Sequence, residues 1–431
     1  MVFVKDMIPF WGPNISDKVV ASGGTSNIKG LLAVIWFALV EYVILWSQGK
    51  PLPKLHNNIL SLVHATLYEL SKLCIRGLEY GVYTWLWQNY AFLPSLPDSI
   101  STFLLHILFV DFCYYWLHRA SHEIMLLWAI HQVHHSDEEI TVTVGLRHSP
   151  IQRLFIWLFY LPLALLGVTP SQMLAHVHFN YMFQCWVHTT SIKSIGILEY
   201  IINTPNHHRV HHGSNLEYLD VNYGGILIIW DRLFGTYKDE EPGNPVVYGI
   251  ITQPQYHNPL KHQIFYLSDM VDKALLQDSW WNSLCAVFKG PSWEPGAPWR
   301  GWQDDKIKVD VSRRHAPAYI STTIHCYAVI QFIATLLLTA HLVHTVNISS
   351  FFFPSLYGLV AVSSLTAVGV LYEGHPRAQL FEIVRSTVSL GVHLSLPLEN
   401  GVLQTTLISI HSASLLMWLC FPGAFRGHQM S

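Results

Sequence analysis

Half of the 26 histidines lie in the stretch from His118 to His212, and their spacing dictates how that stretch can fold. They read His118-x3-His122, His131-x2-His134-His135, a lone His188, and His208-x2-His211-His212. Composition alone would produce His-x-x-His-His about 0.1 times in such a chain, yet it occurs twice. Residues at i, i+3 and i+4 share a helix face, so each cluster aims its imidazoles in one direction. His131 follows His122 by nine residues, which on one straight helix is the opposite face. The five imidazoles converge only if the chain turns between Glu123 and Ile130. We therefore expect one helix to end near His122 and a new one to carry His131, His134 and His135.

Packing cannot supply hydrogen-bond partners for so many adjacent imidazoles, whereas neutral imidazole is the commonest protein ligand for transition metals. Nine candidates, His118, His122, His131, His134, His135, His188, His208, His211 and His212, are too many for one ion and point to two. A structural zinc site is closed by four ligands and favours thiolates. The six cysteines (Cys74, Cys113, Cys185, Cys285, Cys326, Cys420) are scattered, as unpaired reduced thiols would be. Imidazole-rich sites with open positions suit iron, whose redox change can activate oxygen. Zinc hydrolase chemistry wants His-Glu-x-x-His, and the nearest match, His122 to Leu126, ends in leucine. A zinc transporter would space its histidines along a pore.

Around the clusters, His176, Asn180, Gln184 and His188 form a polar i, i+4 stripe in an otherwise apolar segment, and buried polar groups need partners. His207 lies about 100° around the helix from His208 and reads as ligand or outer partner; Gln184 and His176 stand in the same position. Asp111, two turns before His118, and Glu123 are the acidic residues given a catalytic supporting role. Ligating imidazoles usually give their other N–H to a carboxylate or carbonyl. Asp137, Glu138, Asn206, Asp220 and Asn222 also flank the clusters, although Asp137–Glu139 reads equally as a solvated helix end. His56, His106, His148, His178, His393 and His411 read as structural.

Only 12% of the residues are charged against 51% hydrophobic, half the charge usual for a soluble domain. Mean hydropathy is +0.29, and the net charge of −3 gives no reason to expect a nucleic-acid partner. Apolar stretches at Leu31–Trp46, Ile100–Leu117, Tyr319–Val343, Phe351–Leu371, Ala378–Leu396 and Leu403–Phe421 predict membrane helices. Pro150–Val168 and Pro170–Thr189 predict a helical hairpin dipping into the bilayer. No removable signal peptide is expected. The fold class is an all-α polytopic membrane protein, a transmembrane helix bundle with a histidine-rich di-metal site at its cytosolic face. The expected organisation is membrane and interfacial helices over 1–98, a catalytic core over 99–240, a polar surface segment over 241–318 and transmembrane helices over 319–431. The sequons Asn14-Ile15-Ser16 and Asn347-Ile348-Ser349 report on orientation if glycosylated.

The clusters His118-Arg119-Ala120-Ser121-His122, His131-Gln132-Val133-His134-His135 and His208-Arg209-Val210-His211-His212 resemble the three histidine boxes of the fatty acid hydroxylase superfamily. So does Asn222-Tyr223-Gly224 leading to Trp230-Asp231-Arg232-Leu233-Phe234-Gly235-Thr236. That resemblance covers about 101–237. It implies an integral endoplasmic-reticulum membrane protein with two irons that oxidises lipid C–H bonds with O2. Trp186-Val187-His188-Thr189, the run Asn203 to Gly213, Gly224-x2-Leu227 to Asp231, the Lys289-Gly290-Pro291 loop and the extra C-terminal spans are most similar to the glyceryl-ether-cleaving branch. That branch implies an alkylglycerol substrate, a fatty aldehyde product and tetrahydrobiopterin as electron donor. Some relatives carry a histidine where this chain has Gln184. The alternatives are a fatty acid, sphingoid or sterol hydroxylase served by a separate b-type cytochrome, and a protein that binds metal without catalysis. Reducing conditions for the donor favour a cytosol-facing site.

Overall fold

A computed structural model describes residues 25–254, 256–302, 307–309, 320–345 and 352–421; both sequons lie outside them. The described residues are helical and irregular, with one isolated bridge, Ile202 to Leu227, and no strand. Four helices among them are long and apolar enough to cross a membrane: Ile100–Glu123, Thr322–Val343, Pro354–Tyr372 and Gly401–Cys420.

The chain divides into two units. The first comprises residues 1–53, 74–253 and 265–313. Its helices are α1 (Thr25–Ser47), the later part of α2 (Leu55–Tyr90), α3 (Ile100–Glu123), α4 (Met125–His135), α5 (Pro170–Val187), α6 (Pro205–His211), α7 (Ile229–Phe234), most of α8 (Pro259–Leu275) and α9 (Trp280–Phe288). Its apolar core joins Tyr83 of α2, Val110 and Leu117 of α3, and Tyr160, Leu163, Val168 and Met173. Arg153 Nη2 donates to Glu79 Oε2 at 2.6 Å beside that core.

The turn expected between Glu123 and Ile130 falls at Ile124, an extended residue between α3 and α4. Met125 N–H donates to Lys289 O at 2.7 Å and Trp299 Nε1 donates to Glu123 O at 2.7 Å. The 289–299 loop thus fastens the corner between two histidine clusters. The hairpin takes a less regular form than expected. Its first arm, residues 150–165, alternates 3-10 and α turns. Gly167 then turns the chain at φ +80°, where a Cβ would meet Leu93 O at 2.4 Å. Thr169 and Gln172 form a capping box that opens α5.

The second unit comprises residues 54–73, 254–264 and 314–431, with α10 (Thr322–Thr345), α11 (Phe352–Tyr372), α12 (Ala378–Ser395) and α13 (Gly401–Cys420). α12 is not among the four apolar helices. It buries Glu382 and Arg385, paired at 2.6 Å, and Tyr327 of α10 donates to the same Glu382 oxygen at 2.6 Å. Arg385 also donates to Ser364 Oγ and Gln331 Oε1, so its guanidinium is well supplied with acceptors.

Candidate metal centre

All nine histidines singled out by spacing are buried in the first unit, and they sort into two groups. His118, His122, His131, His135 and His211 form one, and His134, His188, His208 and His212 the other. Within each, one ring nitrogen per residue lies within 4.8 Å of all the others. The second and third clusters therefore divide their imidazoles between the groups, whereas His118 and His122 on α3 both face the first. His131 and His135, one turn apart on α4, face the first, and His134 the second.

Backbone carbonyls fix the rings from outside. His118 Nδ1 donates to Tyr223 O at 2.9 Å and His211 Nδ1 to Val221 O at 2.8 Å. His188 Nδ1 donates to Gln184 O at 2.6 Å. Each such bond puts the proton on Nδ1 and leaves Nε2 with a free lone pair. In the five-histidine group, the Nε2 atoms of all five residues are buried without a hydrogen-bond partner. In the other, His188 Nε2 lies 2.9 Å from His208 Nε2, 3.0 Å from His212 Nε2 and 3.2 Å from His134 Nε2. Nitrogens sharing an octahedral edge around an ion bonded at about 2.1 Å lie about 3.0 Å apart. Orphaned lone pairs pointing together are costly without a cation, so both donor sets fit metal ions.

Burial, and next the neighbouring imidazoles, push His131, His134, His135, His208 and His212 well below the usual histidine range. Burial likewise holds His188 at about 3. All are neutral near pH 7, the form that ligates.

Asp111 occupies a different place from the one expected. Its oxygens accept from Ile226 N–H at 2.7 Å, Leu227 N–H at 2.9 Å and Trp230 Nε1 at 3.0 Å, and the imidazole above it is served by Tyr223 O instead. Asp231 accepts from Tyr223 N–H, Gly224 N–H and Thr236 Oγ1, each at 2.7 Å. The two carboxylates thus anchor the 222–231 turn, whose start supplies the carbonyl for His118. A Cβ at Gly224 would sit 2.5 Å from Leu227 O, and one at Gly225 would sit 2.5 Å from Asp111 Oδ1. Asp220 and Asn222, either side of Val221, adopt left-handed φ of +60° and +56°, uncommon for non-glycine residues. Asp220 Oδ1 stands 3.8 Å from His122 Nδ1.

Glu123 pairs with Arg119 at 3.1 Å and with Arg300 at 3.6 Å. Asp137 is buried beside Arg147, at 3.4 Å, instead of ending α4 in solvent; Arg147 also donates to Val133 O and Ser136 Oγ. The α5 stripe forms a relay: Asn180 Nδ2 donates to Asp111 Oδ1 at 3.4 Å and Gln184 Nε2 to Asn180 Oδ1 at 3.0 Å. Gln184 Oε1 is buried without a partner. His176 stacks on Phe103 and meets His106 edge-on, in neither group. His207 lies beside Tyr237, also in neither. His148 stacks on His134 with centroids 5.2 Å apart. Sequence reasoning missed the carbonyl partners and Gly145, whose Cβ would lie 3.1 Å from His188 Nδ1. Backbone groups leave no residue-type signature, although the pair Gly224-Gly225 was visible.

A membrane-helical protein with two buried groups of converging imidazoles is the class these observations define, that of the histidine-box membrane oxygenases. Residues 103–236 match the family model described as fatty acid hydroxylase. The chain is 36% identical over 357 residues to a protein named alkylglycerol monooxygenase from Xenopus tropicalis, covering 80% of this chain and 77% of that one. It is 36% identical to the Homo sapiens protein of that name, over 80% of this chain and 78% of the other. The Danio rerio counterpart is 36% identical over 86% of both chains. No solved structure matches. The chain belongs to the alkylglycerol monooxygenase family of the fatty acid hydroxylase superfamily, and it is an oxidoreductase.

Proposed function

We propose that this protein is a membrane monooxygenase that hydroxylates the ether-linked alkyl carbon of alkylglycerols. The observation carrying that reading is the pair of buried imidazole groups with inward lone pairs, in a chain similar along most of its length to alkylglycerol monooxygenases. His118, His122, His131, His135 and His211 would hold one iron, and His134, His188, His208 and His212 the other. Iron there would supply the oxygen activation that protein side chains lack.

Insertion of one atom of O2 into the C–H bond next to the ether oxygen gives a hemiacetal; the second oxygen atom leaves as water, which consumes two electrons and two protons from a reductant, the role that resemblance to the family gives to tetrahydrobiopterin. The hemiacetal collapses to a fatty aldehyde and a free glycerol hydroxyl. The residues' own tasks are to keep the imidazoles neutral, fix their tautomers through Tyr223 O, Val221 O and Gln184 O, and exclude water. Asp111 and Glu123 act as positioning residues, through the 222–231 turn and the Ile124 corner. Gln184, with its free Oε1, is proposed to stand beside the four-histidine group, while His207 and His176 pack around the centre. The catalytic core would span 99–240, in an endoplasmic-reticulum membrane with the centre facing the cytosol. The pterin rests on resemblance to the family alone.

The test is aldehyde release from an alkylglycerol by membranes containing the full chain, with and without tetrahydrobiopterin, under air and under nitrogen. Aldehyde that requires both oxygen and pterin is expected. Iron-loaded protein that yields no aldehyde but hydroxylates a fatty acid, sphingoid base or sterol would replace the substrate assignment, and bound zinc without oxygen uptake would remove the redox reading.

A further inference from the structure

Glu41 is the single charged residue in the apolar stretch Ala33–Ser47 of α1, and it is buried. A carboxylate in such a helix is costly unless its lone pairs are used, so its partners carry information. Both oxygens are engaged. Thr189 Oγ1 donates to Oε1 at 2.5 Å, and Val142 N–H donates to Oε2 at 3.1 Å. Thr189 directly follows His188. Val142 opens the 3-10 turn Val142–Leu146, whose Gly145 is packed so closely that a Cβ would lie 3.1 Å from both His188 Nδ1 and Cys185 Cα. One carboxylate therefore ties together the segment leaving His188 and the turn pressed against its ring.

The same helix end reaches further along that segment. Lys50 Nζ donates to Thr190 O at 2.8 Å, and Gln48 Nε2 to Ser191 O at 3.1 Å. From the other side, Arg209, inside the third histidine cluster, donates to Thr189 O at 3.2 Å and to Ile192 O at 2.7 Å. The segment after His188 is thus held between α1 and α6. The Nε2 atom it helps place meets three other imidazole nitrogens at 2.9–3.2 Å. Glu41 lies outside residues 103–236, which match the family model.

We infer that Glu41 is a positioning residue for the four-histidine group, setting where His188 enters it, so that the apolar helix α1 is part of the metal centre. The inference rests on the reading that this group holds an ion. The five-histidine group is fixed by other means, through Tyr223 O and Val221 O, so loss of Glu41 acts on one ion and spares the other.

The experiment uses the full chain in detergent or nanodiscs, loaded with ⁵⁷Fe, as wild type, Glu41→Ala, Glu41→Gln and Thr189→Val. Iron per folded chain, the Mössbauer spectrum and the kcat/KM split are recorded. Glu41→Ala is expected to lose about half of the iron, with one of two spectral components fading and kcat falling 10–100-fold while KM holds, the range usual for outer partners of metal ligands. Glu41→Gln, whose amide can accept from Val142 N–H and donate to Thr189 Oγ1, should recover the second component and most of the rate. Thr189→Val, which keeps the carboxylate and removes its donor, should repeat the loss in milder form. Glu41→Ala that keeps both components, or loses both equally, would overturn the inference. If that variant does not fold, an unchanged spectrum in Thr189→Val overturns it instead. A wild-type chain that takes up no metal would overturn the metal reading itself, a result distinguishable from all the others.

Discussion

The two imidazole groups are built from the same helices but secured differently. In the five-histidine group, His118 and His211 are pinned by backbone carbonyls and His122 stands near Asp220, while the inward Nε2 atoms remain unbonded. In the four-histidine group, the His188 ring has its outer bond, whereas His134 Nδ1 and His208 Nδ1 have no partner, and the inward nitrogens crowd together. An imidazole fixed from outside holds its place without an ion; one that is not must be placed by its neighbours and by the metal. With ions bound as proposed, the five-histidine group would be the preorganised half of the centre and the four-histidine group the half completed on loading.

The largest effects should show no such difference. His131→Ala in one group and His134→Ala in the other should each abolish turnover, by more than about 100-fold, since the residues of a unit do not act additively. Full activity and iron in either variant would break the assignment of both groups. The difference should appear on partial stripping. A chelator titrated against the loaded protein should remove the ion of the four-histidine group first, followed by two-phase loss of the spectroscopic signal; single-phase loss would erase the comparison. Asp231→Asn should have the converse bias. It removes one acceptor from the turn that offers Tyr223 O to His118. Metal affinity at the five-histidine group should fall about 10-fold, the low end for outer partners.

Acid sharpens the picture in the metal-free protein. His131, His134, His135, His208 and His212 are held well below the ordinary 6.5 by burial, and His188 at about 3. Above 6.5 both states are neutral and the stability is complete. As pH falls through 6.5 the unfolded chain gains protons that the folded chain refuses, so stability declines until the folded pKa is reached. Each such histidine removes up to about 1.4 kcal/mol per pH unit in that window. Thermal midpoints of the metal-free protein should therefore fall continuously from pH 7 to pH 5, and a flat profile would show the imidazoles to be charged or solvated.

Much of this centre was legible in spacing. The i, i+3, i+4 pattern requires shared faces, and the nine-residue step from His122 to His131 requires a break, which Ile124 supplies. Two things were not legible. The sorting of His131 and His134 into different groups depends on where α6 approaches α4, a tertiary fact. The partners of His118 and His211 are carbonyls, which every residue possesses, whereas residue type points to the carboxylate of Asp111, whose oxygens hold Ile226 N–H, Leu227 N–H and the Trp230 indole instead. Glu41 was visible as a charge in an apolar run, but its target lies 148 positions away in sequence.

The smallest expected effect tests whether the two groups are really unequal. His148 stacks on His134 at 5.2 Å, with the planes 16° apart, yet it is in neither group, and burial pushes it down to about 4. As a packing neighbour it steadies the His134 ring, whose Nδ1 has no hydrogen bond. His148→Ala should then cost less than about 3-fold in kcat, comparable to losing one aromatic contact of about 0.5 kcal/mol. His148→Phe, which restores a flat ring, should recover it. If instead both variants lose the iron of the four-histidine group, His148 is a fifth imidazole there. The two groups would then be equal in number, and the lability of the second would have to come from its missing outer bonds alone.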